Sequence, residues 1–317
     1  MPTALVTGVA GFIGSHLAAE LINRGYTVRG IDNLETGERQ NLDSLHNHAA
    51  FSFHEGDIRN TDLIADLADG VNSLFHQAAM ASVPESINNP SKTTKINCTG
   101  TAAVLDTARR ADIDSVVVAS SSAVYGSNVE IPIKESAPTN PESPYALSKW
   151  YTEQLACQYS DLYGINTVAL RYFNVFGPRQ DPNGEYAAVI PKFIQLLIND
   201  DTPIIYGDGE QSRDFVAIAD AIQANILAAE TDITGEVFNV GSGTCVTINE
   251  LVSLLTDLFD VNIDPVYASP RPGDVRHSQA DISKAKELLG YEPSVGLRQG
   301  LNKTIEYYKS NTADSSV

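Results

Sequence analysis

The chain is short of cysteine and lysine and has no long apolar run, and each shortage removes a class of protein. Its three cysteines, Cys98, Cys157 and Cys245, stand far apart and show no metal-ligand spacing. No metal site is therefore expected, and the thiols read as reduced, buried side chains of a cytoplasmic protein. Every apolar run stops well short of the ~18 residues that cross a bilayer. Met1 leads at once into an apolar strand, which leaves no room for a secretory leader. Against 40 Asp and Glu there are only 21 Lys and Arg, giving a net charge of −19. That field argues against nucleic acid or an anionic membrane as a partner. Lysine supplies nine of the cations, and such an acidic, lysine-poor surface is compatible with a high-salt cytoplasm. The 43% hydrophobic content is ample for a core in 317 residues, as one large or two closely packed domains. There is no internal repeat and no low-complexity tract.

The first residues carry a nucleotide cradle. Ala4-Leu5-Val6-Thr7 is a short apolar run of the kind that forms a buried strand. It enters Gly8-Val9-Ala10-Gly11-Phe12-Ile13-Gly14. Phe12, Ile13, Leu17, Leu21 and Ile22 then recur at helical spacing until Gly25 stops the helix. A second strand, Thr27-Val28-Arg29-Gly30-Ile31, ends in Asp32. Pyrophosphate must approach bare backbone N–H groups at a helix N-terminus, so the turn requires glycine. Asp32 can accept from a ribose 2′-hydroxyl and would repel a 2′-phosphate, which favours NAD over NADP.

Further strands are expected at 51–58, 71–76, 115–119 and 167–171. A long helix is expected over about Lys92–Ala111, with Asn97 facing in, and another runs to about Tyr163. Strands alternating with helices imply an α/β fold, a Rossmann-type doubly wound parallel sheet. After about residue 177 proline and glycine become frequent and the strands shorten. Helices remain plausible at about 188–199, 217–229, 248–259, 283–289 and 297–309. The pattern divides the chain into a cofactor domain at 1–177, with 217–240 packing back onto it, and a smaller mixed α/β substrate domain over 178–309. Residues 310–317 are small and polar and are expected to fray.

Tyr145-Ala146-Leu147-Ser148-Lys149 sets a phenol and an ammonium one helical turn apart, so both can share a face. A free tyrosine titrates near ~10. For the phenol to act as a base near neutrality, roughly 4 kcal/mol of differential stabilisation is needed, and a nearby cation supplies it in the right sense. Ser120-Ser121-Ser122-Ala123-Val124-Tyr125-Gly126 follows the fifth strand, at the strand end where open α/β sheets place their chemistry. The G-x-x-G-x-x-G spacing together with Tyr-x-x-x-Lys resembles the extended short-chain dehydrogenase/reductase family, and the resemblance covers essentially the whole chain. Within that family it is most similar to nucleotide-sugar epimerases, above all UDP-N-acetylglucosamine 4-epimerases. The closest segments are Arg171–Pro191 and Pro270–Ser278.

The resemblance implies an NAD-dependent isomerase that inverts C4 of a UDP-hexose. Tyr145 would be the acid-base. Lys149 would bind the nicotinamide ribose and depress the Tyr145 pKa, and Ser121, four residues before the Tyr-Gly, would steady O4 of the sugar. Cofactor contacts are implied for Gly8, Gly11, Phe12, Ile13, Gly14, Asp32, Asn33, Asp57, Ile58, Gln77, Ala78, Ala79, Asn97, Ser120, Tyr145, Lys149 and Tyr172. Substrate contacts are implied for Ala81, Ser82, Ser121, Tyr145, Asn174, Ala188, Val189, Tyr206, Arg213, Arg271, Asp274 and Ser278. Arg213 and Arg271 suit a diphosphate, because a guanidinium fork matches phosphate oxygens. Ser278 stands where a bulky residue would exclude a 2-acetamido group, so UDP-GlcNAc and UDP-GalNAc should fit, alongside UDP-Glc and UDP-Gal. The family's 4,6-dehydratases carry an Asp-Glu pair directly after the active hydroxyl. Here Ser122 and Ala123 hold those places, so elimination of water lacks its acid and base. Three other readings stay open: a UDP-glucose 4-epimerase without N-acetyl preference, a UDP-glucuronate epimerase or decarboxylase, and a non-enzymatic NAD-binding regulator. The family also implies a homodimer, with helices near 92–111 and 146–163 of each copy pairing into a four-helix bundle.

Overall fold

Seven of the apolar runs assemble into one parallel sheet. The computed structural model describes residues 1–127, 130–182, 187–270 and 275–314, with side chains through 311. In chain order the elements begin β1 (Thr3–Thr7), α1 (Phe12–Asn23), β2 (Thr27–Asp32), β3 (Phe51–Glu55), α2 (Thr61–Ala68) and β4 (Ser73–His76). Next come α3 (Val83–Asn88), α4 (Pro90–Thr93), α5 (Gly100–Arg110), β5 (Ser115–Ser121), α6 (Pro144–Tyr163) and β6 (Asn166–Tyr172). The remainder comprises β7 (Asn174–Phe176), α7 (Val189–Ile198), β8 (Ile204–Tyr206), β9 (Ser212–Arg213), β10 (Phe215–Ala217), α8 (Ile218–Glu230) and β11 (Glu236–Val240). The last elements are β12 (Val246–Thr247), α9 (Ile248–Phe259), β13 (Val266–Ala268), α10 (Ser283–Leu289) and α11 (Leu297–Asp314).

The sheet order is β11-β6-β5-β4-β1-β2-β3, and every neighbouring pair is parallel. The chain winds outward one way through β2 and β3 and the other way from β4 onward. The crevice therefore opens at the C-terminal ends of β1 and β4. Successive strand residues serve opposite faces. Val6 packs with Leu17 and Leu21 of α1 and Ile222 and Ile226 of α8. Its neighbour Leu5 packs with Ile64 of α2 and Val104 and Leu105 of α5. Each large apolar side chain buried this way contributes about 1.5–3 kcal/mol. A third cluster, with Phe193 of α7, Leu251 of α9 and Leu301 of α11, forms the core of the smaller C-terminal part. Three two-stranded sheets, β7/β10, β8/β13 and β9/β12, accompany it.

The elements differ most from the sequence expectation in four places. Strand β3 stops at Glu55 rather than 58, because the Asp57 carboxylate accepts the Arg59 N–H and turns the chain. The long helix starts at Pro90 and passes through a π-helical turn at Thr94–Thr99. Such turns re-aim side chains at functional sites, and here Asn97 is turned onto the backbone of Met80. Helix α3 was not foreseen, although Ser82-Val83-Pro84-Glu85 is a start signal: Ser82 Oγ accepts the Glu85 N–H. Helix α11 continues to Asp314, past the point where fraying was expected. The cysteines are half-buried rather than buried, and all are free thiols. Among the described residues no helix is long and apolar enough to cross a membrane.

Candidate active site

The glycine turn is closed so tightly that side chains cannot enter it. Gly8 adopts φ +70°, and a Cβ there would lie 2.7 Å from the Ala78 amide nitrogen. A Cβ on Gly14 would lie 2.1 Å from the Gly8 carbonyl oxygen. No side chain caps the N-terminus of α1 at Gly11, so the first N–H groups of the helix, at Phe12 and Ile13, are open to an anion. Asp32 ends β2 beside this turn, where its carboxylate accepts N–H bonds from Ala10 at 3.0 Å and Leu34 at 2.8 Å. Burial pushes its pKa up and those N–H groups pull it back. Closed glycines, an uncapped helix end and a carboxylate at the next strand together fit a dinucleotide.

Of the residues expected to contact the cofactor beyond this turn, Asn33 donates to Asp57 at 3.5 Å, and Ile58 is buried next to Gly100. Asp57 is already held by Arg59 through two side-chain bonds, which lowers its pKa. Gln77 and Tyr172 meet Asn225 of α8: the Tyr172 hydroxyl donates to Asn225 Oδ1 at 2.9 Å, and Gln77 Nε2 reaches the same oxygen at 2.9 Å. The Ala78 N–H donates to Thr7 Oγ1, which meets His76 Nδ1 at 2.8 Å. Thr101 spends its hydroxyl proton on the Asn97 carbonyl, so His76 must donate to it from Nε2. Thr7 must then donate to Nδ1. This fixed, neutral imidazole supports the loop carrying Gln77, Ala78 and Ala79, and burial holds its pKa down to about 3.

The catalytic candidates converge at the end of β5. Ser143 caps α6 at the Ala146 N–H, and Pro144 opens it. The Ser121 hydroxyl lies close enough to the Tyr145 phenol to act on its proton. Lys149 Nζ donates to the Ala119 carbonyl at 2.8 Å and is 5% exposed. Burial lowers its pKa to about 8. The Tyr145 phenol does not follow the sequence expectation: burial raises its pKa, and only the Ser121 hydroxyl opposes the rise. The chain alone therefore does not make Tyr145 a base, because Lys149 turns its ammonium to a carbonyl. The Asn97 amide is engaged within the chain. Both of its amide protons and its oxygen are committed, to Met80 and to Ser148 Oγ, and Ser148 in turn donates to the Tyr145 carbonyl. Asn97 thus braces the loop and the helix, and no amide proton is left for a cofactor. The Ser120 hydroxyl points to Glu153 at 2.8 Å, so any cofactor contact there falls to its backbone.

On the sugar side, a cavity of about 250 Å³ is lined by Asn174, Ala188, Val189, Tyr206 and Arg213, together with Phe193, Gln211 and Phe215. Five of the expected substrate residues thus share one apolar slot with a guanidinium at its wall. The main-chain and side-chain N–H groups of Asn174 both donate to the Asp214 carbonyl. Ser278 is nearly buried, and its N–H donates to Ser212 O, one residue from Arg213. The Ser82 hydroxyl is used as the α3 cap. Next to it in space, Ser86 Oγ accepts the Tyr145 N–H, which ties the Ala81–Ser82 segment to the helix that carries Tyr145. Arg271 and Asp274 lie outside the described residues, as does the segment 183–186.

A sequence profile of the family described as GDP-mannose 4,6 dehydratase matches residues 5–304. The chain belongs to that family of extended short-chain dehydrogenase/reductases. Among curated relatives of this short-chain dehydrogenase/reductase, the UDP-glucose 4-epimerase of Mycolicibacterium smegmatis is 38% identical over 310 residues, 97% of this chain and 99% of that one. The UDP-N-acetylglucosamine 4-epimerase of Methanobrevibacter ruminantium, solved in complex with UDP-N-acetylmuramic acid, superposes with a TM-score of 0.94 at 41% identity, covering 98% of this chain and 99% of its own. The UDP-glucuronic acid 4-epimerase of Bacillus cereus, solved with UDP-glucuronic acid and NAD, superposes at 0.89 with 34% identity, covering 98% and 99%. The profile is named for a dehydratase, but all three of these relatives are 4-epimerases.

Sequence reasoning passed over Asn225, His76, Thr7, Ser86 and Glu153. Only Glu153 carried a signal, since it lies one further turn along the face shared by Tyr145 and Lys149. The others act through contacts far apart along the chain, 53 residues from Tyr172 to Asn225 and 59 from Tyr145 to Ser86.

Proposed function

We propose that the protein is an NAD-dependent UDP-hexose 4-epimerase that interconverts UDP-GlcNAc and UDP-GalNAc and accepts UDP-Glc and UDP-Gal. The observation that carries this reading is the gathering of Tyr145, Ser121 and buried Lys149 at the end of β5, with Ser122 and Ala123 in place of an acid pair. When bound, NAD supplies a reversible hydride acceptor for C4 of the sugar, which gives access to a transient 4-keto sugar. Gly8, Gly11, Gly14 and Asp32 would hold it, with Tyr172 near the nicotinamide. Tyr145 takes the proton of the 4-hydroxyl at its Oη and returns it after the keto sugar has presented its opposite face. Ser121 shares that hydrogen bond and keeps O4 within reach. Burial leaves the phenol above its ordinary pKa. More than the roughly 4 kcal/mol needed from an unperturbed phenol would therefore have to come from cationic groups assembled around Tyr145 on binding, Lys149 among them if it leaves Ala119 O. Arg213, with Arg271, would hold the diphosphate while the sugar rotates, and the cavity around Val189, Phe193 and Tyr206 would receive the uracil. Ser278 leaves room for the acetamido group.

In this reading 1–177 with 217–240 hold the cofactor, and 178–309 mainly hold the sugar nucleotide. The protein is cytoplasmic and dimeric. Dimerisation is supported by an apolar stripe on α6, where Leu147 is 54% and Leu162 is 70% exposed, with Tyr151 between them. Light scattering would test the dimer. The catalytic assignment is tested by Tyr145→Phe, which removes the hydroxyl and keeps the ring. Turnover should fall by roughly 10²–10⁴-fold with NAD still bound. Turnover near wild type would overturn the assignment. A panel of UDP-sugars that includes UDP-glucuronate separates the N-acetylhexose reading from the plain-hexose and uronate readings.

A further inference from the structure

Three consecutive residues at the end of β5 each face a different turn of α6. The Ala119 carbonyl accepts from Lys149 Nζ at 2.8 Å, Ser120 Oγ donates to Glu153 Oε2 at 2.8 Å, and Ser121 stands by the Tyr145 phenol. Tyr145, Lys149 and Glu153 lie at i, i+4 and i+8, on one helix face. The proposed reaction uses the first two and leaves the third without a role. Glu153 is 0% exposed, and Arg171 grips its carboxylate with two bonds, Nε to Oε2 at 2.9 Å and Nη2 to Oε1 at 2.6 Å.

Arg171 is the register partner of Ser120 on one side and of Asn239 on the other. Its Nη1 donates to Tyr125 Oη at 2.8 Å, and Tyr125 donates to Asn239 Oδ1 at 2.6 Å. One row of side chains thus fastens β5, β6 and β11 to α6 directly behind the reacting groups.

Stability does not account for this arrangement. Desolvation offsets most of the attraction in a buried ion pair, and an apolar pair of similar volume is often as stable or more so. What a two-pronged guanidinium–carboxylate contact adds is direction and fixed spacing. We infer that Glu153 and Arg171 are positioning residues that set the distance from the helix face carrying Tyr145 and Lys149 to the strand end carrying Ser121. The inference rests on the assignment of those three residues to the reaction.

The test compares the NAD-bound wild type with Glu153→Leu/Arg171→Met, which removes both charges together. The double variant should keep its melting temperature and its cofactor and show an unchanged KM. Its kcat should drop roughly 10- to 100-fold, the scale of a displacement approaching 1 Å. A folded double variant with wild-type kcat would overturn the inference, and so would a loss confined to KM. If the double variant does not fold, Ser120→Ala decides, because it cuts the strand–helix tie and leaves the ion pair intact. A several-fold lower kcat at constant KM supports the inference, and an unchanged kcat refutes it. Tyr145→Phe in the same assay keeps the two ideas apart. Wild-type turnover there overturns the catalytic assignment, whereas a dead Tyr145→Phe beside a fully active double variant overturns only the positioning role.

Discussion

Lys149 is a site where the fold gives up stability for a charge, and Lys149→Met measures how much. Its ammonium is almost wholly buried, and the pKa of about 8 against an ordinary 10.5 reflects the cost of desolvation. That difference corresponds to roughly 3 kcal/mol for holding the charged form at neutral pH. Against it stands the bond to Ala119 O, a charged donor contributing about 1.5–3 kcal/mol. Lys149→Met removes both. The cofactor-free variant is therefore expected to be as stable as wild type at pH 7, or up to about 2 kcal/mol more stable, while turnover is lost. The sign follows from proton linkage. A group whose folded pKa is depressed contributes stability above its unfolded pKa, and this is lost as pH falls through the folded pKa. Wild type therefore gains on the variant as pH rises from 8 to 10.5, by about 2–3 kcal/mol. Denaturant unfolding of both apo-proteins at pH 7 and near pH 10 reads this out. A stability difference that is flat with pH would refute the reasoning, as would a variant several kcal/mol weaker at pH 7.

Three other expectations follow from particular positions. Gly14→Ala drives a Cβ to 2.1 Å from Gly8 O, a backbone atom that cannot move without opening the turn; cofactor retention, read by mass spectrometry, should be lost. Gly25→Ala is the control: Gly25 sits at positive φ with nothing within 4 Å, so the change should cost only about 1–2 kcal/mol and keep the cofactor. Ser278→Tyr should abolish activity on N-acetylated UDP-sugars and spare the plain hexoses, and equal loss on both would contradict the gate. If the charge of −19 reflects a high-salt cytoplasm, unfolding midpoints should rise from low to molar salt, whereas full stability without salt would sink that idea.

The layout of the sheet was legible because each strand and helix carries its own periodicity. Ala4–Thr7 and Asp32 bracket the glycine turn within one short segment, so spacing alone recovers the cradle. Tyr145 and Lys149 share a helix, and their juxtaposition follows from helical geometry. The protonation balance was not legible. It depends on burial and on Lys149 choosing the Ala119 carbonyl, neither of which is a property of the motif. The π-helical turn at Thr94–Thr99 accompanies a tertiary contact, Asn97 on the Met80 backbone, that no local propensity encodes. Glu153 was visible as a residue on the right face, but its partner Arg171 read as the end of a strand rather than as the other half of a buried ion pair.

The most direct test of the account is to incubate the purified protein with UDP-GlcNAc, without added NAD, and resolve the products. Because the proposed reaction has no net redox change, UDP-GalNAc should appear from protein that keeps its NAD and approach a fixed ratio with its epimer. Absence of UDP-GalNAc from a preparation that still carries bound NAD would contradict the proposed activity on N-acetylated sugars. Absence of any C4 epimer from every UDP-hexose tried would contradict the epimerase assignment itself.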